Sequence, residues 1–365
     1  MKVLSIVGAR PNFIKVAPIH AVFQKHRDME SRIVHTGQHY DDQMSGIFFD
    51  QLNLPRPDYF LGINNGSHTE QTAGIMLQFE KVIHTEKPDM VLVVGDVNST
   101  LACALVAAKE QVPVVHVEAG LRSGDRRMPE EINRIMTDSI SDQLFVTEQA
   151  AVDNLRKENI PAEKIHFTGN VLIDSLVRYR AKASELKISE QLNLRTRSYV
   201  LMTMHRPANV DNEKSLRQVI EIIKCVAGDV PVVFPLHPRT LKNIAAFGLK
   251  NEVERIRGLQ IMRPLGYLEF LNLMDNAALV ITDSGGVQEE TTFLNVPCIT
   301  LRESTERPVT VEVGTNNLLN TLDKEVVRPA MESILGGSPK IGKIPYLWDG
   351  QAAERIVAIL REKYI

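Results

Sequence analysis

Short apolar runs alternate with segments of helical character along the whole chain. Eleven runs rich in β-branched residues occur, at residues 3–7, 32–35, 90–94, 114–117, 143–146, 165–167, 200–204, 232–234, 259–262, 278–282 and 298–301. This alternation is typical of βαβ units and predicts an α/β fold with parallel sheets. Residues 171–197 are polar and carry no strand pattern. We therefore predict two domains, residues 1–170 and residues 171–349, with a boundary near Asn170.

Composition narrows the class of protein. A chain of 365 residues exceeds one ordinary core, which agrees with two domains. With 24% charged residues and a net charge of −3, the chain has no bulk attraction for nucleic acid or membranes. Its beginning lacks a signal-peptide pattern, and its three cysteines lie far apart, so we expect a cytoplasmic protein without disulfides. No spacing of His, Cys and Asp predicts a metal site.

A polar turn follows the apolar run at 278–282. It reads Asp-Ser-Gly-Gly-Val-Gln-Glu-Glu at 283–290, and we predict a turn through Ser284, Gly285 and Gly286 into a helix. The free N–H groups of such a helix favour a phosphate, although a tight βα turn with acidic residues suited to the helix dipole explains the pattern equally well. Neither a Gly-x-Gly-x-x-Gly fingerprint nor a P-loop occurs, so NAD and ATP are excluded and no cofactor is expected.

Charged residues follow several runs of the first half. Arg10 and Lys15 come after the first run, Asp96 after the third and Glu118 after the fourth. Because the carboxyl ends of parallel strands share one edge of a sheet, these residues are expected to meet there. For Asp96 the alternative is a cap on the next helix.

A further pair stands in the predicted helix that Pro129 opens. Glu130 and Arg134 share a face, where they form either part of a site or a surface salt bridge. Buried neighbouring carboxylates can take different pKa values and divide acid and base roles, so Asp96, Glu118 and Glu130 are candidate catalytic residues.

Basic residues follow the runs of the second half. His205 and Arg206 come after the first of these runs, and His237 and Arg239 after the second. Two histidines and two arginines at adjacent strand ends indicate an anion. Arg307 lies after the last run and is a candidate for the same pocket, although neighbouring glutamates can simply neutralise it.

Taken together, these motifs resemble the non-hydrolysing UDP-N-acetylglucosamine 2-epimerases. The resemblance runs in order along nearly the whole chain. It is carried by Gly-Ala-Arg-Pro at 8–11, Gly-Asp at 95–96, Val-Glu-Ala-Gly-Leu-Arg-Ser-Gly at 117–124, Pro-Glu-Glu-Ile-Asn-Arg at 129–134, His-Arg-Pro-Ala-Asn at 205–209, Asp-Ser-Gly-Gly-Val-Gln-Glu-Glu at 283–290 and Thr-Glu-Arg-Pro at 305–308.

The resemblance implies a GT-B fold, with two Rossmann-like domains facing across a cleft and the C-terminal helix at 350–365 joining residues 1–170. It implies a homodimer that interconverts UDP-GlcNAc and UDP-ManNAc, without metal or cofactor, for cell-surface polysaccharide biosynthesis. By motif, Glu290 holds the ribose, and Arg10, His205, Ser284 and Gly285 hold the diphosphate. His237, Gly286 and Arg307 complete the substrate-binding set, while Lys15, Asp96, Glu118, Glu130 and Arg134 line the sugar.

The expected chemistry is elimination followed by re-addition. Cleavage of the anomeric C–O bond makes the C2 proton acidic, and a carboxylate then removes it to give 2-acetamidoglucal and UDP. Protonation on the opposite face and return of UDP complete the inversion. We expect Asp96, Glu118 and Glu130 to serve as the acid and base set with Lys15, and His205 to stabilise the leaving phosphate.

One segment departs from the family pattern and widens the range of activities that the chain could have. Many members read Gln-His-x-x-Met-Leu-Asp-Gln after the second strand, where this chain has Gln-His-Tyr-Asp-Asp-Gln-Met-Ser-Gly at 38–46. The departure puts allosteric activation by UDP-GlcNAc in doubt and leaves room for a UDP-2,3-diacetamido-uronic acid as substrate. A hydrolysing epimerase and a GT-B glycosyltransferase also stay open as functions for a chain of this kind.

Overall fold

The computed structural model describes residues 1–38 and 51–365. The divergent motif at 39–46 therefore lies outside the described residues. The chain forms two compact units, one of Met1–Arg178 with Tyr346–Ile365 and the other of Tyr179–Pro345. The last twenty residues thus belong to the unit that contains the first.

The first unit contains a sheet of seven parallel strands in the order β3-β2-β1-β4-β5-β6-β7. Its strands are β1 Lys2–Val7, β2 Glu30–His35, β3 Tyr59–Phe60, β4 Met90–Val94, β5 Val114–Val117, β6 Gln143–Val146 and β7 Ile165–Phe167. Residues of β4, β5 and β6 are buried throughout, as expected for central strands covered on both faces.

Helices connect these strands. Those of the first unit are α1 Arg10–Phe23, α2 His68–Glu86, α3 Asn98–Lys109, α4 Pro129–Ile140, α5 Gln149–Lys157 and α16 Ala352–Tyr364. A capping box begins α2: the Ser67 side chain accepts from the N–H of Glu70, and the Ser67 N–H donates to the Glu70 carboxylate.

The second unit repeats this architecture with a six-stranded parallel sheet in the order β10-β9-β8-β11-β12-β13. Its strands are β8 Val200–Thr203, β9 Val232–Pro235, β10 Leu259–Met262, β11 Leu279–Thr282, β12 Cys298–Leu301 and β13 Asn316–Leu319. In both sheets the strand order reverses beside the first strand of the unit. Ligands of such sheets bind at the carboxyl ends of the strands near this reversal.

The helices that follow in the chain include one that crosses the boundary between the units. They are α6 Val171–Glu185, α7 Ile188–Gln191, α8 Pro207–Val210, α9 Glu213–Asp229, α10 Pro238–Ala246, α11 Lys250–Glu254, α12 Tyr267–Asn276, α13 Gly285–Leu294, α14 Pro308–Glu312 and α15 Lys324–Leu335. The boundary falls between Arg178 and Tyr179, inside α6. None of the helices in the described ranges combines the length and apolarity needed to cross a bilayer.

The C-terminal segment is anchored to the first unit by polar contacts. Trp348 is buried, and its indole N–H donates to the Thr147 carbonyl at 2.9 Å. Asp174, in the first turn of α6, accepts from the first two N–H groups of α16, those of Ala352 at 3.1 Å and Ala353 at 2.6 Å. A carboxylate at this place satisfies donors that a helix N-terminus otherwise leaves unpaired.

The periodic pattern predicted most of these elements. Each of the eleven apolar runs coincides with a strand, and the helices expected from Pro129 and near the C-terminus are confirmed. The sequence does not predict β3 or β13. The former has only two residues, and the latter begins with two asparagines and is only partly buried.

Candidate active site

Two buried charges lie at the strand ends of the first unit. Lys15 of α1 forms an ion pair with Glu118, which directly follows β5, and both side chains are at least nine-tenths buried. Glu118 has a backbone φ of 70°, in the left-handed region that a residue with a Cβ rarely adopts. A conformation of this kind is typical of functional sites, where the surrounding structure holds the strained residue in place.

A second pair lies at the end of the neighbouring strand. Asp96 follows β4 and forms an ion pair with Arg134 of α4. The predicted alternative for Asp96, capping of α3, is wrong: the N-cap residue is Val97, and the side chain that accepts from the first turn is that of Gln38, at 3.0 Å from the Ser99 N–H. Asn133 adds a hydrogen bond from its amide to the Asp96 carbonyl at 2.9 Å. Asp96 keeps 29% of its side chain exposed, so its carboxylate is accessible to a ligand.

Arg134 is oriented from behind by Glu131. The Glu131 carboxylate accepts from Arg134 Nε at 2.9 Å and Nη2 at 2.7 Å, and from the N–H groups of Ser123 and Gly124. Burial alone would raise the pKa of Glu131, but these donors outweigh it and hold the pKa below its ordinary value. Glu131 thus remains ionised and fixes both Arg134 and the loop before α4.

The two remaining candidates of the first unit occupy more exposed positions. Arg10 is the first residue of α1, and Glu130 lies in the first turn of α4. Both are half-buried, beside the buried Asn12 and Glu131 respectively. Asn12 accepts from the N–H groups of Gly8 and Ala9, which fixes the turn on which Arg10 stands.

In the second unit, Asp283 organises the end of β8. This fully buried carboxylate accepts from His205 Nδ1 at 2.9 Å, from the backbone N–H groups of His205 and Arg206, and from the Asn209 amide. Burial alone would raise the pKa of Asp283, but His205 and the N–H groups hold it below its ordinary value. Since the carboxylate can only accept, His205 Nδ1 carries a proton and Nε2 is left for a ligand.

The predicted glycine turn enters α13 as expected. Ser284 is the N-cap residue, and its side chain forms no capping hydrogen bond. Gly285 does not have a positive φ. A Cβ at this position would lie 2.6 Å from Arg307 Nη1, so glycine is needed there because the guanidinium packs against the turn. Gly286 continues the half-buried N-terminus of the helix.

Buried charges surround this turn. Arg307 pairs with Glu306 at 2.7 Å and with Glu289 at 2.9 Å. Glu306 also pairs with Arg302 at 2.6 Å and with Arg206 at 3.4 Å. Three guanidinium groups, those of Arg206, Arg302 and Arg307, therefore converge on Glu306 near the N-terminus of α13. Such an arrangement is suited to an anionic ligand.

The last two candidates of the second unit flank this region. Glu290, in the second turn of α13, accepts from the Tyr267 hydroxyl at 2.9 Å, and burial raises the pKa of Tyr267 well above its ordinary value. His237 is the N-cap residue of α10, and its ring centroid lies 5.3 Å from that of His205. Its Nδ1 accepts from the Arg239 N–H.

Sequence reasoning missed the residues that hold the candidates in place. Glu131, Asp283 and Glu306 stand beside predicted site residues in the motifs, yet the pattern does not show that these three carboxylates are buried. No cluster of three or more metal-ligating side chains occurs within residues 1–38 and 51–365.

Comparisons with known proteins place the chain in a family. A family model described as UDP-N-acetylglucosamine 2-epimerase matches residues 21–361. The chain belongs to the UDP-N-acetylglucosamine 2-epimerase family. A relative of that name from Methanocaldococcus jannaschii is 45% identical over 372 residues, which cover 99% of this chain and 99% of the relative.

Solved structures of this epimerase family share the fold. The M. jannaschii UDP-GlcNAc 2-epimerase in complex with UDP-GlcNAc and UDP has a TM-score of 0.93 and 45% identity, covering 99% of this chain and 100% of that chain. This likeness confirms the predicted GT-B class with two Rossmann-like α/β units. A second epimerase, the UDP-2,3-diacetamido-2,3-dideoxy-D-glucuronate 2-epimerase of Pseudomonas aeruginosa, is 43% identical over 364 residues, 99% of each chain.

Proposed function

We propose that the protein interconverts UDP-GlcNAc and UDP-ManNAc as a non-hydrolysing 2-epimerase. One observation carries this function: the adjacent strands β4 and β5 end in Asp96 and Glu118, each paired with a cation, at one edge of the first sheet. Paired carboxylates at neighbouring strand ends supply the acid and the base that an inversion at C2 needs. The names of the relatives supply the substrate class.

The reaction proceeds by elimination and re-addition. The bond between C1 and the diphosphate oxygen breaks, and its electron pair leaves with UDP. A carboxylate of the Asp96, Glu118 and Glu130 set removes the C2 proton, and the C–H electron pair forms the C1–C2 double bond of 2-acetamidoglucal. Delivery of a proton to the other face of C2 and attack of UDP on C1 restore the sugar nucleotide with inverted C2.

Residues of the second unit hold UDP in this proposal. The N-terminus of α13 with Ser284, Gly285 and Gly286, together with His205, His237 and Arg307, supplies positive charge for the diphosphate, and Glu290 accepts from the ribose hydroxyls. Stabilising UDP as a leaving group lowers the barrier for breaking the C1–O bond. We further propose that the protein acts as a homodimer.

The second candidate substrate is a UDP-2,3-diacetamido-uronic acid. It is favoured by the P. aeruginosa relative, whose identity to this chain, 43%, is close to the 45% of the M. jannaschii enzyme. The chemistry at C1 and C2 is the same for both sugars, so the proposed mechanism is independent of this choice.

Incubation in deuterated water, followed by NMR, tests the proposal. With UDP-GlcNAc alone we expect UDP-ManNAc and deuterium at C2 of both sugars. Asp96→Asn is expected to lower deuterium incorporation at least about 100-fold while UDP binding persists. Asp89→Asn is the matched control, since Asp89 stands at the opposite end of β4, where it accepts from the Lys2 N–H.

Different products of the same incubation identify different enzymes. Release of UDP with free ManNAc identifies a hydrolysing enzyme. Turnover of the diacetamido-uronic acid nucleotide but not of UDP-GlcNAc contradicts the substrate and retains the mechanism. Absence of any reaction without an added acceptor points to a glycosyltransferase.

A further inference from the structure

A fully buried His–Asp pair lies directly behind the candidate carboxylates. His116 is on β5, two residues before Glu118, and its Nδ1 lies 2.6 Å from Asp138 Oδ1 on α4. Its Nε2 lies 2.9 Å from the carbonyl oxygen of Gly95, the residue before Asp96. Both side chains are fully buried. Neither His116 nor Asp138 is among the residues predicted to bind the substrate or to act on it.

The hydrogen-bonding partners define the protonation of this pair. The Gly95 carbonyl can only accept, so Nε2 of His116 carries a proton. Asp138 accepts at Oδ2 from the Gly120 N–H at 3.0 Å and from Arg122 Nη2 at 2.7 Å. Burial alone would raise the pKa of Asp138, but His116 and Arg122 hold it below its ordinary value. Hydrogen bonds at both ring nitrogens therefore hold His116 between Asp138 and Gly95.

The pair connects the two loops that carry the candidate acid and base. Gly95 donates its N–H to the Val117 carbonyl and accepts from His116, so both sides of this residue are tied to β5. Gly120 is tied to Asp138 and has a φ of 78°, and a Cβ there would lie 2.5 Å from the Ala151 carbonyl oxygen. Asp96 follows the first glycine, and Glu118 precedes the second by two residues.

We propose that His116 and Asp138 are positioning residues, which fix the loops of Asp96 and Glu118 relative to each other through the Gly95 carbonyl and the Gly120 N–H. This inference rests on the proposed acid and base roles of the two carboxylates. Displacing a catalytic group by about 1 Å can lower a rate by roughly 100-fold, so the loops need such a connection. The pair itself moves no proton in the reaction.

Substitutions at Asp138 separate positioning from general stability. In Asp138→Asn the amide oxygen can still accept from Gly120 and Arg122, and the amide nitrogen can donate to a neutral His116 that keeps its Nε2–H on Gly95. Asp138→Ala removes these acceptors. We expect Asp138→Ala to lower kcat at least about 100-fold and Asp138→Asn to stay within about tenfold of wild type. UDP affinity should change less than about threefold in both variants.

His116→Gln gives an independent test, because glutamine can donate to the Gly95 carbonyl or to Asp138 but not to both in the ring geometry. We expect a fall in kcat similar to that of Asp138→Ala. The matched controls are His20→Gln, a buried histidine of α1 paired with Ser31, and Asp174→Asn, a buried carboxylate that accepts from two backbone N–H groups. Both controls should retain wild-type kcat.

The proposal is overturned if Asp138→Ala turns over like wild type, if Asp138→Asn is as impaired as Asp138→Ala, or if UDP affinity falls in parallel with kcat. NMR of wild-type protein at neutral pH tests the pair without reference to activity. We expect a signal from the Nε2–H of His116 and slow exchange of the Gly120 amide. Absence of this ring signal, or fast exchange of the Gly120 amide, overturns the proposal, even for a protein that does not epimerise UDP-GlcNAc.

Discussion

At the scale of single residues, Glu118 shows how the fold maintains a strained conformation. Its left-handed backbone costs roughly 1–3 kcal/mol for a residue with a Cβ. Hydrogen bonds from the N–H groups of Glu118 and Ala119 to the Phe145 carbonyl fix the chain at this point, and Lys15 pairs with the carboxylate. This strained backbone allows the Glu118 carboxylate to reach Lys15 from the end of β5.

Stability measurements can detect this strain. In a Lys15→Met background, which removes the buried partner charge, we expect Glu118→Gly to be more stable than Glu118→Ala by about 1 kcal/mol, because glycine adopts a positive φ without a steric cost. Chemical denaturation of the two double variants measures the difference. A glycine variant that is less stable than the alanine variant, as in ordinary strands, would contradict the strain.

The sequence predicted which candidate residues stand at strand ends and missed the residues that contact and support them. The tips of β1, β4, β5, β8 and β11 follow from periodicity, since a polar residue directly after a buried run must lie at the sheet edge. The ion-pair partners of Arg134 do not follow from periodicity. Glu130 and Glu131 both have a spacing that brings a helical residue near Arg134, yet Arg134 pairs with Glu131 and with Asp96. The pattern does not identify His116, which lies inside an apolar strand, or Asp138, which stands between the polar helical residues Thr137 and Ser139.

At the scale of elements, the N-terminus of α16 is docked against a buried carboxylate, that of Asp174. Burial raises the pKa of Asp174 to about 6, although the N–H groups of Ala352 and Ala353 donate to it. Because the pKa in the folded state exceeds that of the unfolded chain, the folded protein binds more protons between these two values. The contribution of this group to stability is therefore complete below about pH 4 and is lost as the pH rises to about 6.

Comparison with Asp174→Asn isolates this effect. The free energy of unfolding of wild type minus that of the variant should fall by up to about 3 kcal/mol between pH 4 and pH 7, since one unit of pKa shift corresponds to about 1.4 kcal/mol. Denaturation at a series of pH values measures the difference, in which the other titrating groups cancel. A difference that is independent of pH would show that Asp174 titrates normally.

At the scale of the whole molecule, the two sheets share one feature. In each sheet the candidate residues follow the carboxyl ends of strands near the point where the strand order reverses. Alternating strands and helices predicted both sheets, but not β3 and β13, whose short length and polar residues leave no period to detect. The unit boundary inside α6 is likewise invisible in sequence, because an uninterrupted helix carries no turn signal.

Because the proposal assigns UDP binding to residues of the second unit, it predicts which backbone amides UDP alone protects from hydrogen exchange. We expect saturating UDP to slow hydrogen exchange of the backbone amides at 285–287 in the second unit, because these N–H groups form the first turn of α13 at the proposed diphosphate position. Amides around Asp96 and Glu118 should change little. Mass spectrometry of the exchanged protein measures both. Protection confined to the first unit would contradict the assignment of the diphosphate to α13.

The anchoring of the C-terminal segment has a practical consequence. Trp348 is the one tryptophan of the sequence, and it lies buried against Thr147, where the last residues return to the first sheet. Selective excitation of indole therefore reports on a single known position of the unlabelled enzyme. During refolding, the change in Trp348 fluorescence measures when the C-terminal segment packs on the first unit, separately from the formation of the second sheet.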